Sequence, residues 1–392
     1  MNTKPKSKKA LIAISIISGV ILLLVLLVVL FFRGVFFGKS HRVEISADTI
    51  FNTQYNSGDL IKIGDKLYYN YEPTDSLDDL LTYGIYEISS LGSSRVYWKG
   101  PQFHPCPSSN LFSLKAIEGE IIADGTTLLY DENNTVEIQK YNLFTKRLET
   151  YRKLETAYGE EPRNFEYIDG VYFYESLNSL YMEKDGKLEK LFDTGYHGEA
   201  GPNTFSVNGN ILRETINLNN FCYVSKDELY YTKSLEDTTT VCRYNIPDKK
   251  ETEIAKLNYS ADDVFNLLIT DGKAVVDTYN FSATDSKPRL YLINTKSDEE
   301  PTEILKEHNL SYMSDSIAVL DGYFYIGSDG NYNSEKGILA VDLNNPDNPK
   351  KIYDGAVSSI HILDNEWIYF TDEDCVLRRI THDGKKVELV FG

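Results

Sequence analysis

One phrase recurs seven times after residue 60 and constrains the fold more than anything else in the chain. A short apolar run ends at an Asp- or Gly-containing turn, and an aromatic-rich run follows. The second runs are Leu67-Tyr68-Tyr69, Leu128-Leu129-Tyr130, Tyr172-Phe173-Tyr174, Leu229-Tyr230-Tyr231, Ala274-Val275-Val276, Tyr323-Phe324-Tyr325 and Ile368-Tyr369-Phe370. The turn aspartates are Asp65, Asp124, Asp169, Asp227, Asp271, Asp321 and Asp364, at intervals of 59, 45, 58, 44, 50 and 43 residues. A period near fifty made of short strands predicts radial repetition, an all-β, seven-bladed β-propeller, rather than a stack of helices.

Each unit divides into four short runs of period-two character, A to D, separated by turn residues. In the sixth unit these are 316–320, 323–327, 338–343 and 350–353; in the seventh, 359–363, 367–371, 376–381 and 386–391. The third gives 164–168, 171–175, 179–183 and 187–192. One four-stranded antiparallel sheet cannot bury both apolar faces alone, so the units must pack in a ring. Asp169-Gly170, Asp271-Gly272 and Asp321-Gly322 join A to B, while Asp185-Gly186 and Asp383-Gly384 join C to D. Asp-Gly between apolar runs is a strong hairpin signal, because both turn residues take positive φ at little cost.

In such a sheet the A–B and C–D turns lie at one end, and the B–C and D–A connections at the other. The A–B turns are uniformly tight. The long insertions, at 72–82, 101–118, 195–219, 233–239, 280–287 and 328–335, all belong to the opposite end. Binding residues tend to sit on loops over a rigid scaffold, so the elaborated end is the expected functional face. How the ring closes is not written in the sequence; residues 42–46 could pair with the last unit.

The repeat, Ile-x-Asp-Gly-x-x-Tyr-Phe-Tyr followed by Leu-Tyr-x-x-x-x-Asp-Gly-Lys, resembles the bacterial domain of unknown function 5050. It shows best at 168–187, 320–325 and 363–383, and the resemblance spans roughly 60–392. That family is described as a propeller like those of low-density-lipoprotein-receptor-related proteins. Their Tyr-Trp-Thr-Asp signature is approached at Tyr369-Phe370-Thr371-Asp372, with Phe in place of Trp. The resemblance implies propeller architecture and a bacterial, membrane-anchored protein of Gram-positive type. It brings no catalytic residues.

The first 42 residues are a separate object. Residues 10–32 form an uncharged, mostly apolar run between Lys9 and Arg33. As a helix this run spans roughly 34 Å, enough for a bilayer core of about 30 Å. The apolar region of a cleaved signal peptide, the alternative, is only about 7–15 residues long. The reading is therefore a cytoplasmic basic tail (1–9), a transmembrane helix (10–32), a juxtamembrane linker (33–56) and the propeller (57–392). Lys4, Lys6, Lys8 and Lys9 before the span favour the amino terminus inside and the propeller outside.

Charge divides the same way. Residues 1–42 carry seven of the 40 basic residues and no acidic one, leaving 33 basic against 59 acidic, a formal −26, beyond them. Such a domain repels nucleic acid and anionic lipid, so no nucleic-acid partner is expected.

Nothing in the sequence carries a reaction. Cys222 and Cys242 fall on strands A and C of the fourth unit, two strand spacings or about 9–10 Å apart, too far for a bridge. With Cys106 and Cys375 they read as free thiols. Asp329, Asn331, Asn333 and Glu335 alternate like the start of a calcium loop, but Ser334 stands where the loop needs glycine and Ala340 where it needs glutamate. His41, His104, His197, His308, His361 and His382 show no metal-ligand spacing; His361, on an inner strand, reads as a channel histidine without a ligand. The Asn-x-Ser/Thr sites at Asn133, Asn258, Asn280 and Asn309 read as chance. No catalytic residue, cofactor or metal site is assigned. The expected role is non-catalytic: an extracytoplasmic binding or scaffolding module for a protein or cell-envelope partner. The alternatives are a sensor of a small molecule, peptide or glycan in the central funnel, and a carboxylate-dependent hydrolase.

Overall fold

The computed structural model describes residues 8–32, 43–46 and most of 57–392, leaving out 72–83, 99–112, 125–128, 131–134, 156–161, 194–203, 217–220, 259–263, 280–287 and shorter stretches. Seven sheets follow one another along the chain, each in the order A-B-C-D and antiparallel throughout. They are the blades of a propeller.

Blade 1 is Leu60–Ile63, Lys66–Tyr71, Gly84–Ser89 and Gly92–Trp98; blade 3 is Pro162–Ile168, Val171–Ser176, Ser179–Lys184 and Lys187–Asp193. Blade 4 is Cys222–Ser225, Glu228–Leu235, Thr238–Asn245 and Lys250–Leu257; blade 5 is Val264–Thr270, Lys273–Tyr279, Pro288–Asn294 and Thr302–Ile304. Blade 6 is Ile317–Leu320, Tyr323–Ser328, Gly337–Asp342 and Lys350–Tyr353; blade 7 is Ser359–Ile362, Trp367–Thr371, Leu377–Thr381 and Val387–Phe391. In blades 3, 6 and 7 the strand limits agree with the sequence reading to within two residues.

Period two does not hold evenly across a blade. Trp367–Thr371 is buried at every position, and Tyr323–Ser328 at every position after the first. Strand B is covered on both faces by neighbouring blades, which is why its runs are continuous rather than alternating. Strand D lies at the rim, where Lys250–Leu257 is mostly solvent-accessible. A register shift recurs in the C–D pairing of blades 1, 2, 3, 4, 6 and 7, between Ile85/Tyr86, Thr150/Arg152, Leu180/Tyr181, Val241/Cys242, Ile338/Leu339 and Leu377/Arg378. A bulge there adds local twist to the outer strand.

The second unit is framed differently from the sequence reading. Its strand A is Ser113–Ile117 and its strand B Glu120–Asp124, joined at Glu118-Gly119, so Asp124 ends a strand rather than making the turn. Both turn residues have positive φ, 50° and 80°, like the pairs at Asp169, Asp271 and Asp321. Moving the turn from 124 to 118 changes the first two intervals from 59 and 45 to 53 and 51, a more even repeat. Glutamate in place of aspartate hid it. Thr135–Asn142 and Arg147–Glu155 complete the blade, and Leu129–Tyr130 pairs with the former.

Two of the expected long loops shrink accordingly. The 101–118 connection ends before Ser113, and 233–239 is a hairpin whose strands pair as far as Leu235 and Thr238. The 195–219 insertion holds a two-stranded hairpin, Thr204–Val207 with Asn210–Arg213, and Thr215–Ile216 adds to strand B of blade 4. The 72–82 and 280–287 loops and Cys106 lie outside the described residues.

The ring closes by packing. Val43 and Ile45 are buried with Leu60, Tyr69 and Tyr86 of blade 1 and Trp367, Leu377 and Phe391 of blade 7. Lys62 Nζ of blade 1 donates to Asp364 Oδ2 of blade 7 at 3.0 Å, with both side chains at most 1% exposed. The Arg379 guanidinium lies 4.0 Å over the Trp367 ring and donates to the Glu44 carbonyl at 2.6 Å. Residues 43–46 thus rest on the seam without forming a strand. Further along, Ser57–Gly58 pairs with strand A of blade 2, close to the His361 ring of blade 7.

A helix runs from Lys8 to Phe32. Along it the described side chains are those of residues 14–29, and every Ile, Leu and Val among them is exposed. Among the described residues no helix is long and apolar enough to cross a membrane.

Two buried titratable groups oppose each other. Burial raises the Asp277 carboxyl from 3.8 to about 6 and lowers the His361 imidazole from 6.5 to about 4. For Asp277 the unfolded chain releases its proton first, so stability falls as pH rises from about 4 to 6. For His361 the unfolded chain binds a proton first, so stability is lost as pH falls from about 6.5 to 4. In the parent the two trends offset each other. Urea-denaturation midpoints should therefore fall with rising pH in His361→Gln and climb with rising pH in Asp277→Asn, across the same window. Parallel profiles for both variants would contradict this assignment.

Candidate functional site

Among the described residues a cleft lies at the tight-turn end. It opens between blades 6 and 7, with a volume of about 580 Å³. Four turns and the adjoining strands of blade 6 build its walls.

From blade 6 come Asp321, in the A–B turn with φ 47°, and Tyr323 and Tyr325, which share one side of strand B with stacked rings 6.2 Å apart. Tyr325 is buried, whereas Tyr323 is 42% exposed. The C–D connection supplies Asp342, Asn345 and Asn348. Asp342 Oδ1 accepts from the Asn344 amide at 2.8 Å, and Asn348 Nδ2 donates to Asn345 Oδ1 at 3.0 Å. These side-chain-to-backbone and side-chain bonds fix the turn without a regular hairpin.

From blade 7 come Asn365, in the A–B turn, and His382 and Asp383, in the C–D turn. Asp383 Oδ1 accepts from Thr381 Oγ1 at 2.8 Å and from the Lys385 amide at 3.0 Å, and Oδ2 pairs with Lys385 Nζ at 2.6 Å. Those contacts hold its carboxyl well below the usual range. Gly384, at φ +77°, lets this turn sit on blade 6: a Cβ there would lie 2.9 Å from Ile352 Cβ. Lys350 Nζ donates to the Asp383 carbonyl and ties the two blades together.

His382 Nδ1 and Tyr325 Oη are 2.9 Å apart, so one of the two donates across the blade boundary. His382 Nε2 is buried without a hydrogen-bond partner. Burial pushes the imidazole below its ordinary range, against the opposing pull of Asp364, Asp321 and Asp383. The same burial, with Tyr323 and Asp321 adding, raises the Tyr325 phenol.

At the equivalent place between blades 2 and 3 the turn carboxylate is bonded from within. There the turn carboxylate Glu118 accepts from Tyr151 at 2.6 Å and Tyr167 at 2.8 Å, both within the protein. Asp321 accepts no side-chain hydrogen bond from a described residue. The residue is exposed to solvent.

The other residues singled out in the sequence do not come together. Cys222 and Cys242 are buried and unbridged, the former thiol pushed by burial up to about 12, and Cys375 lies unbridged in the B–C turn of blade 7. In the alternating acidic run, Asp329 accepts from the Asn331 amide at 2.8 Å, and Glu335 pairs with His308 at 3.0 Å. Among the described residues no group of three or more His, Cys, Asp or Glu side chains is placed to hold a metal ion. His361 is buried against Ser359 Oγ, 3.1 Å away. His41, His104, His197 and the acceptor sites at Asn133 and Asn280 lie outside the described residues.

No family model matches the chain, and no curated protein does. Among solved structures, the computationally designed Ika8 protein aligns with 87% of this chain and 99% of its own, at 12% identity and TM-score 0.45. PorZ, a surface component of the type-IX secretion system of Porphyromonas gingivalis, aligns with 85% of this chain and 48% of its own, at 14% identity and TM-score 0.44. An oligogalacturonate lyase in complex with manganese covers 65% of this chain and 70% of its own, at 10% identity and TM-score 0.43. Likenesses this distant carry no functional argument.

Proposed function

We propose that this chain is a membrane-anchored, extracytoplasmic, non-catalytic binding module for a protein or cell-envelope ligand, with the blade 6–7 cleft as the ligand's seat. The observation that carries the reading is the cleft itself, in which the exposed Asp321 carboxylate stands beside an exposed Tyr323 ring.

The anchor rests on the helix. Its described apolar side chains, from Ile14 to Val29, are 41–72% exposed. In the sequence the apolar run continues on either side of these positions, over 10–32, and a helical run of that length that is apolar all round is matched to lipid. The basic residues before it favour a cytoplasmic amino terminus, and the acidic propeller disfavours nucleic acid. The resemblance to the domain of unknown function 5050 agrees with an anchored bacterial protein.

A photo-crosslinking residue at Asn365, in the cleft, is compared with one at Phe144, which is 94% exposed on the C–D turn of blade 2. In the full-length protein in intact cells, a discrete adduct from position 365 and none from 144 is expected. Identical patterns from both positions would remove the cleft from the reading.

A further inference from the structure

The lining of the cleft says what kind of ligand it suits. Three features matter: a ring face, a mixture of hydrogen-bonding groups, and a nearly balanced charge.

Tyr323 presents an apolar face on a strand that is otherwise buried. It is the one position of Tyr323–Ser328 that is exposed, and its ring is backed by Tyr325 at 6.2 Å and 23°. A large aromatic left open at the edge of a core has area to give to a ligand, with a polar tip that stays wet.

Around it stand acceptor-only carboxylates, Asp321 and Asp342, and amides that both donate and accept, Asn348 and Asn365. One oxygen of Asp342 is used by its own turn, and Asp383 is neutralised by Lys385. That leaves Asp321 and Asp342 against Lys350, a formal −1. The ammonium already in the wall works against a cationic ligand. An anionic ligand meets two aspartates and a domain of formal charge −26. A simple apolar ligand would leave the carboxylates and amides unpaired on desolvation. Hydroxyl groups, which donate and accept at once, answer a wall of this composition.

The size agrees. About 580 Å³ lies inside the range of roughly 300–1,000 Å³ typical of small-ligand sites, and it admits a short oligosaccharide.

We infer that the cleft between blades 6 and 7 is a saccharide-binding site, taking a neutral sugar ring against Tyr323 with its hydroxyls shared among Asp321, Asp342, Asn348 and Asn365. This rests on the cleft being the ligand's seat and adds its chemistry. His382 acts from behind: its bond to Tyr325 holds the two blades at the spacing the sugar needs. No covalent step is involved.

The test is isothermal titration of the full-length protein in lipid nanodiscs, free of sugar-headed detergent. The titrants are neutral trisaccharides of glucose, galactose, mannose and N-acetylglucosamine, with trigalacturonate and tetramethylammonium as charged comparisons. Saturable binding of at least one neutral trisaccharide is expected, weakened roughly tenfold or more by Tyr323→Ala and by Asp321→Asn. Phe144→Ala should bind as the parent does. Both cleft variants change exposed or half-open positions, and unchanged melting would show that they fold. If only a charged titrant binds, and the same variants abolish it, the saccharide inference falls while the cleft stands. If a sugar binds and both variants leave it untouched, or if nothing binds, the inference is overturned; in the first case the cleft falls with it.

Discussion

Asp364→Ala should be the most damaging single change in the ring. Its carboxylate faces the buried Lys62 ammonium across the seam at 3.0 Å, accepts from Tyr369 Oη at 3.2 Å, and accepts from the Trp367 amide at 2.9 Å. Removing one partner of a buried pair costs about 3–5 kcal/mol, because the other charge stays in a dry site. Here a turn bond is lost as well. Lys62→Met on its own should also destabilise, and combining it with Asp364→Asn should recover part of the loss, since neither charge is then stranded. Equilibrium urea unfolding of the full chain, read by circular dichroism, measures all three. A midpoint for Asp364→Ala within error of the parent would mean that the seam is not held here.

Phe391→Ala is the second large effect. The next-to-last residue puts its ring among Tyr69, Tyr71 and Tyr86 of blade 1, with centroids at 5.7, 5.1 and 4.6 Å. Truncating a buried phenylalanine costs about 3–5 kcal/mol through lost transfer energy and the cavity left behind. The loss falls where, among the described residues, no shared strand holds the ring together. Amide exchange should therefore rise first in Val387–Phe391 and Lys66–Tyr71, ahead of blades 3 to 5. Uniform exchange across all blades would contradict closure by packing.

These two changes also show where sequence reasoning stops. The aromatic B runs are legible because strand B is buried on both faces in every blade, so each unit repeats the same demand for Tyr, Phe, Val and Ile. The Asp-Gly pairs at 169, 271 and 321 are legible because only a few residues accept positive φ at both turn positions. Glu118-Gly119 makes the same turn with a residue less suited to it, so the second unit reads out of frame. The Lys62–Asp364 pair joins residues 302 apart and follows no local rule. Val43 and Ile45 look like part of a linker until their burial against Trp367 and Phe391 is seen.

The cleft is a similar case. Asp321-Gly322 and His382-Asp383-Gly384-Lys385 are recognisable as turns, and their shortness marks their face as the plain one. That short turns of two adjacent blades stand apart and frame a cavity depends on how the blades pack. The run Asp342-Leu343-Asn344-Asn345-Pro346-Asp347-Asn348 is the available signal, being richer in amides than the other C–D turns. Loop length drew attention to the opposite face, where 72–82 and 280–287 lie.

The most direct measurement is the rate at which a membrane-impermeant maleimide labels Asn365→Cys and Phe144→Cys in the full-length protein, in intact cells and after purification. Both variants carry Cys106→Ser and Cys375→Ser, and the strand thiols Cys222 and Cys242 are buried and should not react. An extracytoplasmic propeller with an occupied cleft predicts fast labelling at 144 in both settings, and labelling at 365 that is slow in cells and fast once purified. No labelling of either position until lysis, or the same ratio of rates in cells and in purified protein, would contradict it.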